Sequence, residues 1–117
     1  DKITTSGPST VMEVRGEVTA HELDPRELGI ELTSVEALAG RDGAHNATLV
    51  RALLAGEKGP IRDAVLLNAA AGLTAADPEA DAPLMDRLAA NMRRAAESLD
   101  SGAAADVLDR WIEFSRS

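Results

Sequence analysis

Residues 60–76, with the sequence PIRDAVLLNAAAGLTAA, limit what this chain can fold into more than any other segment. Pro60 suits the first turn of a helix, because an N–H at that position would have no partner within the helix. Apolar residues then recur at helical spacing and also cover most of the remaining circumference: Ile61, Ala64, Val65, Leu66, Leu67, Ala71 and Leu73. A helix that is apolar nearly all round is buried, so we expect other elements to surround this one.

Three more helices are predicted. Residues 44–55 place Leu49, Ala52 and Leu53 on one face and stop at Gly56. The next helix carries a ladder of apolar residues at i, i+4 spacing, formed by Leu84, Leu88, Met92, Ala95 and Leu99. After the sequence DSG, we expect a last helix to turn four side chains inward: Val107, Leu108, Trp111 and Phe114.

Strands come before these helices. Residues 10–15 and 17–23 flank Gly16, which suits the tight turn of a β-hairpin. Gly7-Pro8, just before them, is expected to shape a turn. The order of elements is therefore strands first and helices afterwards.

Two short helical turns are predicted between the hairpin and the first long helix. In DPRELG, Asp24 is placed to cap the turn and Gly29 to end it. In TSVEALAG, Thr33 or Ser34 is the expected cap and Gly40 the expected stop.

The apolar residues of the chain are small. Its 117 residues suffice for one domain, and 44% of them are hydrophobic, as in a folded protein. Aromatic residues contribute only 2%, and Trp111 and Phe114 are the two large rings. Leu, Val, Ile and Ala must therefore fill the core, and each buries little area, so we expect marginal stability for this chain by itself.

Charge and cysteine content narrow the classes of function. The formal net charge of −8 makes nucleic acid a poor default partner, because phosphate binding relies on clustered Lys and Arg. No apolar run approaches the ~20 residues that span a bilayer. The absence of cysteine excludes disulfides and thiol chemistry. We expect a soluble intracellular protein with no membrane partner.

Local sequence shows no complete active site. His21 falls in a polar strand and His45 near a helix start, and since neither has metal-ligand spacing, surface positions are expected for both. AGEKGP lacks the spacing of a P-loop, and Arg93-Arg94 is expected on a solvated helix face. Asn68 is polar within the buried helix, so we predict that it hydrogen-bonds the backbone of a neighbouring element.

The succession of segments resembles the C-terminal part of the anthranilate phosphoribosyltransferase family, which acts in tryptophan biosynthesis. The likeness is carried by TTSGPST before the hairpin, by LDPRELGI after it, and by AAESLDSGAAADVLDRWIEF near the end. The stretch LLAGEKGPIRDAVLLNAA is the most specific. The resemblance covers essentially the whole chain but only the last part of a family member.

The resemblance implies an α/β fold class. Residues 1–117 would form the C-terminal segment of the large α/β domain of the anthranilate phosphoribosyltransferase and nucleoside phosphorylase-like fold, a β-hairpin followed by four or five helices. The small helical domain and the loop that binds phosphoribosyl diphosphate would precede Asp1, which would be an interior residue. The complete enzyme would be a cytoplasmic homodimer that transfers the 5-phosphoribosyl group from phosphoribosyl diphosphate to anthranilate.

The resemblance also implies one metal ligand. In the family, an Asp-Glu pair before the Thr/Ser-rich turn binds magnesium that accompanies the diphosphate, and Asp1 matches its first position. By itself, an acid at a strand start is more often solvated. The second position is Lys2, a cation where Mg²⁺ prefers oxygen ligands. Three explanations stay open: Lys2 pairs with diphosphate oxygens in place of a metal, the protein is a weakened homologue, or these first residues depart from the native sequence.

Two alternatives to an enzyme segment stay open at this stage. A non-catalytic homologue would keep the scaffold and bind without turnover, which is the hypothesis that Lys2 motivates. A small α+β interaction module would fold cooperatively as a monomer. The resemblance favours the enzyme segment, which we expect to be inactive without the N-terminal remainder of the same enzyme.

Overall fold

The computed structural model describes residues 2–78 and 81–117. It is an α/β arrangement in which a β-hairpin precedes four helices. The strands are β1 (Ser9–Arg15) and β2 (Glu17–Leu23), and the helices are α1 (Gly43–Leu54), α2 (Pro60–Ala76), α3 (Leu84–Asp100) and α4 (Ala103–Arg116). Two 3-10 turns, Pro25–Leu28 and Glu36–Leu38, connect the hairpin to α1. The predicted fold class and order of elements are confirmed.

The hairpin has one packed face and one open face. β1 and β2 pair antiparallel, with Val14 opposite Val18, and Gly16 takes a left-handed φ of 79° at the turn. Because side chains alternate across a strand, Val11 turns toward the helices while Met12 and Val14 turn away. Met12 is 59% exposed and Val14 70% exposed. The outer face of the hairpin is thus apolar and open within the described part of the chain.

The caps predicted from the sequence are present. The Asp24 carboxylate accepts from the Arg26 backbone N–H at 3.0 Å, and Gly29 ends that turn with a φ of 78°. The Ser34 hydroxyl accepts from the Ala37 N–H at 3.2 Å, although this turn ends at Leu38, before Gly40. The Asp24 oxygen satisfies an N–H at the start of its turn, whereas the Ala37 N–H also donates to the Ser34 carbonyl at 3.2 Å.

The core joins the hairpin to α2 and α3. Leu23 of β2 packs with Ala70 of α2 and with Leu84 and Leu88 of α3. Six partly buried residues border this cluster: Ile3, Val11, Leu28, Ala71, Met85 and Met92. The cluster contains no aromatic ring, as the composition predicts.

Helix α2 is only partly covered. Leu67 and Ala70 are fully buried, but Val65, on another side of the helix, is 39% exposed. The expectation that other elements surround α2 therefore holds for one side and is wrong for the side of Val65. The reason is that open cavities separate this side from α1 and α4 in the described residues.

The prediction that four side chains of α4 turn inward is wrong for three of them. Leu108 is half-buried, but Val107, Trp111 and Phe114 are 56%, 69% and 79% exposed. Helix α4 contacts α1 and α3, and at 100° per residue these three side chains lie about 100° round the helix from the half-buried Leu108 and Ile112. The sequence pattern identified the apolar residues correctly and their direction wrongly.

An ion pair connects the ends of two helices. The Arg62 guanidinium, near the start of α2, donates to both carboxylate oxygens of Asp100, at the end of α3, at 2.8 and 2.9 Å. The Arg62 side chain is only 6% exposed, so the pair fixes the antiparallel contact of these helices at one end.

None of the helices in the described ranges is both long and apolar enough to cross a membrane.

Candidate functional site

Asn68 holds the extended segment that precedes the hairpin. Its side-chain oxygen accepts from the Ile3 N–H at 2.9 Å, and its side-chain nitrogen donates to the Ile3 carbonyl at 2.9 Å. The same nitrogen donates to the Ala64 carbonyl at 2.9 Å. The primary amide therefore pairs with Ile3 as a neighbouring strand would, and the predicted backbone hydrogen bond of Asn68 is confirmed.

Further contacts fix the residues after Ile3. The Thr5 carbonyl accepts from the Thr33 N–H at 3.0 Å, and the Thr4 N–H donates to the Ser9 hydroxyl at 3.3 Å. Thr5 is 1% exposed. Among the described residues, the buried hydroxyl oxygens of Thr5 and Ser6 have no hydrogen-bond partner. Because buried polar groups are normally paired, this segment is a place where further polar partners are needed.

A cavity of about 600 Å³ borders the same segment. Lys2, Thr4 and Thr5 line one side of it, and residues of α1 and α2 line the other. Lys2 is exposed. The cavity wall is largely apolar, with polar groups supplied by Lys2, Asn46 and Asn68, as in a binding cleft for a small molecule.

The predicted metal ligand, Asp1, lies outside the described residues. Within residues 2–78 and 81–117, no group of three or more His, Asp and Glu side chains could hold a metal ion. Lys2 brings a positive charge to the position next to Asp1.

A second polar cluster lies between the hairpin and α3. The Arg87 guanidinium pairs with the Glu13 carboxylate, which also contacts the His21 ring at 3.2 Å. Arg87 additionally donates to the Ala82 carbonyl at 2.8 Å and is 8% exposed. The hydrogen bond from Arg87 holds the pKa of Glu13 below its ordinary value, and its charge and the His21 contact act in the same direction. This cluster secures the hairpin to α3.

The remaining sequence candidates do not line the cavity beside Lys2. His21 is half-buried beside Glu13, which differs from the expected surface position, because the hairpin turns it toward α3. His45 is also half-buried, and its backbone N–H donates to the Asp42 cap of α1 at 2.8 Å. Arg93 and Arg94 are exposed as predicted, and Arg94 donates to Asn91 at 2.9 Å.

Sequence reasoning missed the five polar residues that are buried in the described part of the chain: Thr5, Arg62, Thr74, Arg87 and Asn91. Thr5 carried no signal, since threonines in a polar run look solvated. Arg87 carried one: it stands three residues after Leu84 and directly before Leu88, which places it beside the apolar ladder of α3. A charge at such a position needs a partner, and Glu13 supplies it.

Comparison with known proteins gives a family and a set of relatives. Residues 1–105 match the model of the glycosyl transferase family, α/β domain. The chain is 56% identical over 117 residues to an anthranilate phosphoribosyltransferase of an Arthrobacter species, covering 99% of this chain and 33% of that protein. It is 51% identical over 122 residues to one from Leifsonia xyli, covering 99% and 35%.

A solved structure shows the same fold. The crystal structure of anthranilate phosphoribosyltransferase from Thermus thermophilus matches with a TM-score of 0.78 and 39% identity, over 96% of this chain and 32% of that one. The chain thus spans about a third of the length of the relatives it matches.

Proposed function

The chain belongs to the glycosyl transferase family, α/β domain, and from that premise we propose that it is the C-terminal third of an anthranilate phosphoribosyltransferase. The observation that carries the proposal is the identity of 56% over essentially the whole chain with a relative of that name. The fold and the relatives give no support to a non-catalytic homologue or to a small interaction module.

The proposed reaction is a substitution at the anomeric carbon of phosphoribosyl diphosphate. The anthranilate amine attacks this carbon, an N–C bond forms, the C–O bond to diphosphate breaks, and the amine loses a proton. Such a reaction needs two reactants held in line and a leaving group whose negative charge is neutralised. The tryptophan pathway, the cytoplasmic location, the homodimer and the use of magnesium stay predictions from the resemblance.

The residues of this chain contribute to positioning. Asn68 and the Thr33 N–H fix the backbone of Ile3 and Thr5, so that Lys2 projects from a rigid support at the cavity. Preorganised groups of this kind cost no reorganisation when the reaction occurs. The helices α2 and α3 support the segment, and α2 also lines one side of the cavity.

Lys2 is proposed to face the diphosphate. It is exposed at the cavity and places a cation next to the position where the family has its metal-binding pair. An ammonium group binds phosphate oxygens through charge-assisted hydrogen bonds. Part of the charge neutralisation would then come from this side chain.

The test of the proposed function is a chimera in which these 117 residues replace the matching third of the Arthrobacter relative. We expect the chimera to convert anthranilate at a rate comparable to that of the relative, because the two sequences are 56% identical over this region. A folded chimera with no transfer of the phosphoribosyl group would contradict the proposal. Loss of anthranilate fluorescence in the presence of phosphoribosyl diphosphate is the measurement.

The role of Lys2 has its own test in the same chimera. Lys2→Glu should steepen the dependence of the rate on magnesium concentration, because a carboxylate replaces a cation where metal is expected. Lys58→Glu, a change of the same charge at an exposed residue away from the cavity, should leave the dependence unchanged. Identical magnesium titrations for Lys2→Glu and the unaltered chimera would remove Lys2 from the site.

A further inference from the structure

One face of helix α4 exposes large apolar side chains. Val107, Trp111 and Phe114 are 56%, 69% and 79% exposed, and their spacing puts them within one narrow sector of the helix. Trp111 and Phe114 are the only Trp and Phe of the chain. We call these three residues the α4 apolar face.

This face continues into an open cavity. Ala104, which stands one turn before Val107 and Leu108, lines a cavity of about 660 Å³ together with Val65 and Leu73 of α2. The uncovered side of α2 and the α4 apolar face are therefore neighbouring surfaces. Contiguous exposed apolar area of this kind marks an interaction surface in a folded protein.

We propose that the α4 apolar face is the docking surface for the part of the glycosyl transferase domain that lies outside these 117 residues. The inference rests on the proposed function, because it takes the rest of the enzyme as the partner. The chain covers only 33% of the length of the Arthrobacter relative and 32% of the Thermus structure. These relatives are about three times as long as this chain, so they contain further elements that can pack against the uncovered sides of α2 and α4.

A second copy of this chain fits the face less well. Three side chains of these types bury about 600 Å² at most, less than the about 800 Å² that each partner buries in a stable interface. Two chains that each carry a net charge of −8 also repel each other. A segment of the same polypeptide needs no such area, because the linkage raises its effective concentration.

Trp111 reports on the proposal directly, since it is the only Trp in these residues. In the chimera with the Arthrobacter relative, with any other Trp replaced by Phe, we expect Trp111 emission at shorter wavelength than in the 117-residue chain. Quenching by acrylamide should fall several-fold. Equal emission and quenching in the two proteins would overturn the proposal.

Variants of α4 separate docking from helix stability. Phe114→Glu should be nearly neutral in the 117-residue chain, where the side chain is exposed, but should lower the unfolding temperature of the chimera and restore quenching of Trp111. Glu113→Ala, on the polar side of the same helix, should change neither. Equal effects of Phe114→Glu in both proteins would contradict docking.

The remaining outcomes are also decisive. A 117-residue chain that dimerises with Trp111 shielded, and that Phe114→Glu makes monomeric, would assign the face to a second copy and overturn the proposal. If the chimera turns over while Trp111 stays exposed, the proposed docking surface is wrong and the proposed enzymatic function is supported. If Trp111 is shielded in a folded chimera that shows no turnover, the docking surface is supported and the proposed enzymatic function is contradicted.

Discussion

At the scale of the residue, the side-chain amide of Asn68 takes the place of a neighbouring strand for the backbone of Ile3. One primary amide both accepts from and donates to Ile3. The sequence was sufficient to predict that Asn68 bonds to a neighbouring backbone, because a polar residue in an apolar helix needs a partner. It was not sufficient to identify Ile3, since that choice depends on how the first segment crosses α2.

Replacing Asn68 tests this amide pairing. Asn68→Ala should lower the free energy of unfolding by about 1–3 kcal/mol, because the Ile3 N–H and carbonyl lose their partner. Asn68→Asp keeps the acceptor but loses the donor, so it should also destabilise. Denaturant unfolding is the measurement.

Asn46 is the matched control for that experiment. Its amide makes the same two contacts with the backbone of Arg41, at 2.9 and 3.3 Å, but at an exposed position. Asn46→Ala should therefore cost less than Asn68→Ala. If Asn68→Ala and Asn46→Ala lower the free energy of unfolding equally, the hydrogen bonds of Asn68 to Ile3 contribute no more to stability than those of an exposed amide.

Glu13 gives a prediction of pH dependence. Its pKa is lowered in the folded protein by Arg87 first and by His21 in addition, so its ion pair stabilises the fold above the unfolded pKa and is lost as the pH falls through the folded one. The difference in unfolding free energy between the wild type and Glu13→Gln should be present at neutral pH and fade below about pH 4.

The comparison with Glu13→Gln removes contributions from other carboxyl groups. The pKa values of Asp24 and Asp100 are also lowered, by hydrogen bonds from Arg26 and Arg62, whereas burial raises that of Asp63. These groups titrate in both proteins and cancel in the difference. A difference that does not change with pH would exclude Glu13 as the source.

At the scale of the element, the pair α2 and α3 depends on an asymmetric ion pair. Arg62 is 6% exposed and Asp100 is 51% exposed at the side chain. Asp100→Ala leaves a buried guanidinium without its partner, which is strongly unfavourable. Arg62→Met leaves Asp100 facing water and fills the same space with an apolar chain.

We therefore expect Asp100→Ala to lower the unfolding temperature more than Arg62→Met does. Arg26→Met, which removes the exposed pair of Arg26 with Asp24, serves as the control and should have the smallest effect. Thermal unfolding followed by circular dichroism ranks the three variants. A larger decrease for Arg62→Met than for Asp100→Ala would contradict the finding that Arg62 is the buried member of the pair.

The boundaries of the helices and strands were easier to predict from sequence than which of their faces are buried. Gly16, Asp24, Gly56 and Pro60 act through local geometry, so the turn, the cap and the helix ends follow from sequence. The direction of Trp111 does not, because the apolar residues of α4 occupy two sides and the contacts of the helix decide which one is covered. Periodicity alone cannot supply those contacts.

At the scale of the whole molecule, several apolar surfaces stay uncovered in the described residues. Among them are the outer face of the hairpin, the side of α2 around Val65, and the α4 apolar face. The sequence indicated the family but not these surfaces, because burial depends on every element of a domain. The same dependence explains why Thr5 and Ser6 hold buried hydroxyls that need partners.

We propose that this chain works only as one part of a phosphoribosyltransferase. The most direct test is to mix the 117-residue chain with the upstream two thirds of the Arthrobacter relative and to measure transfer from phosphoribosyl diphosphate to anthranilate, beside each part alone. We predict no turnover from either part and saturable turnover from the mixture. Turnover by the 117-residue chain alone, or a stable complex of the two parts without turnover, would contradict the claim.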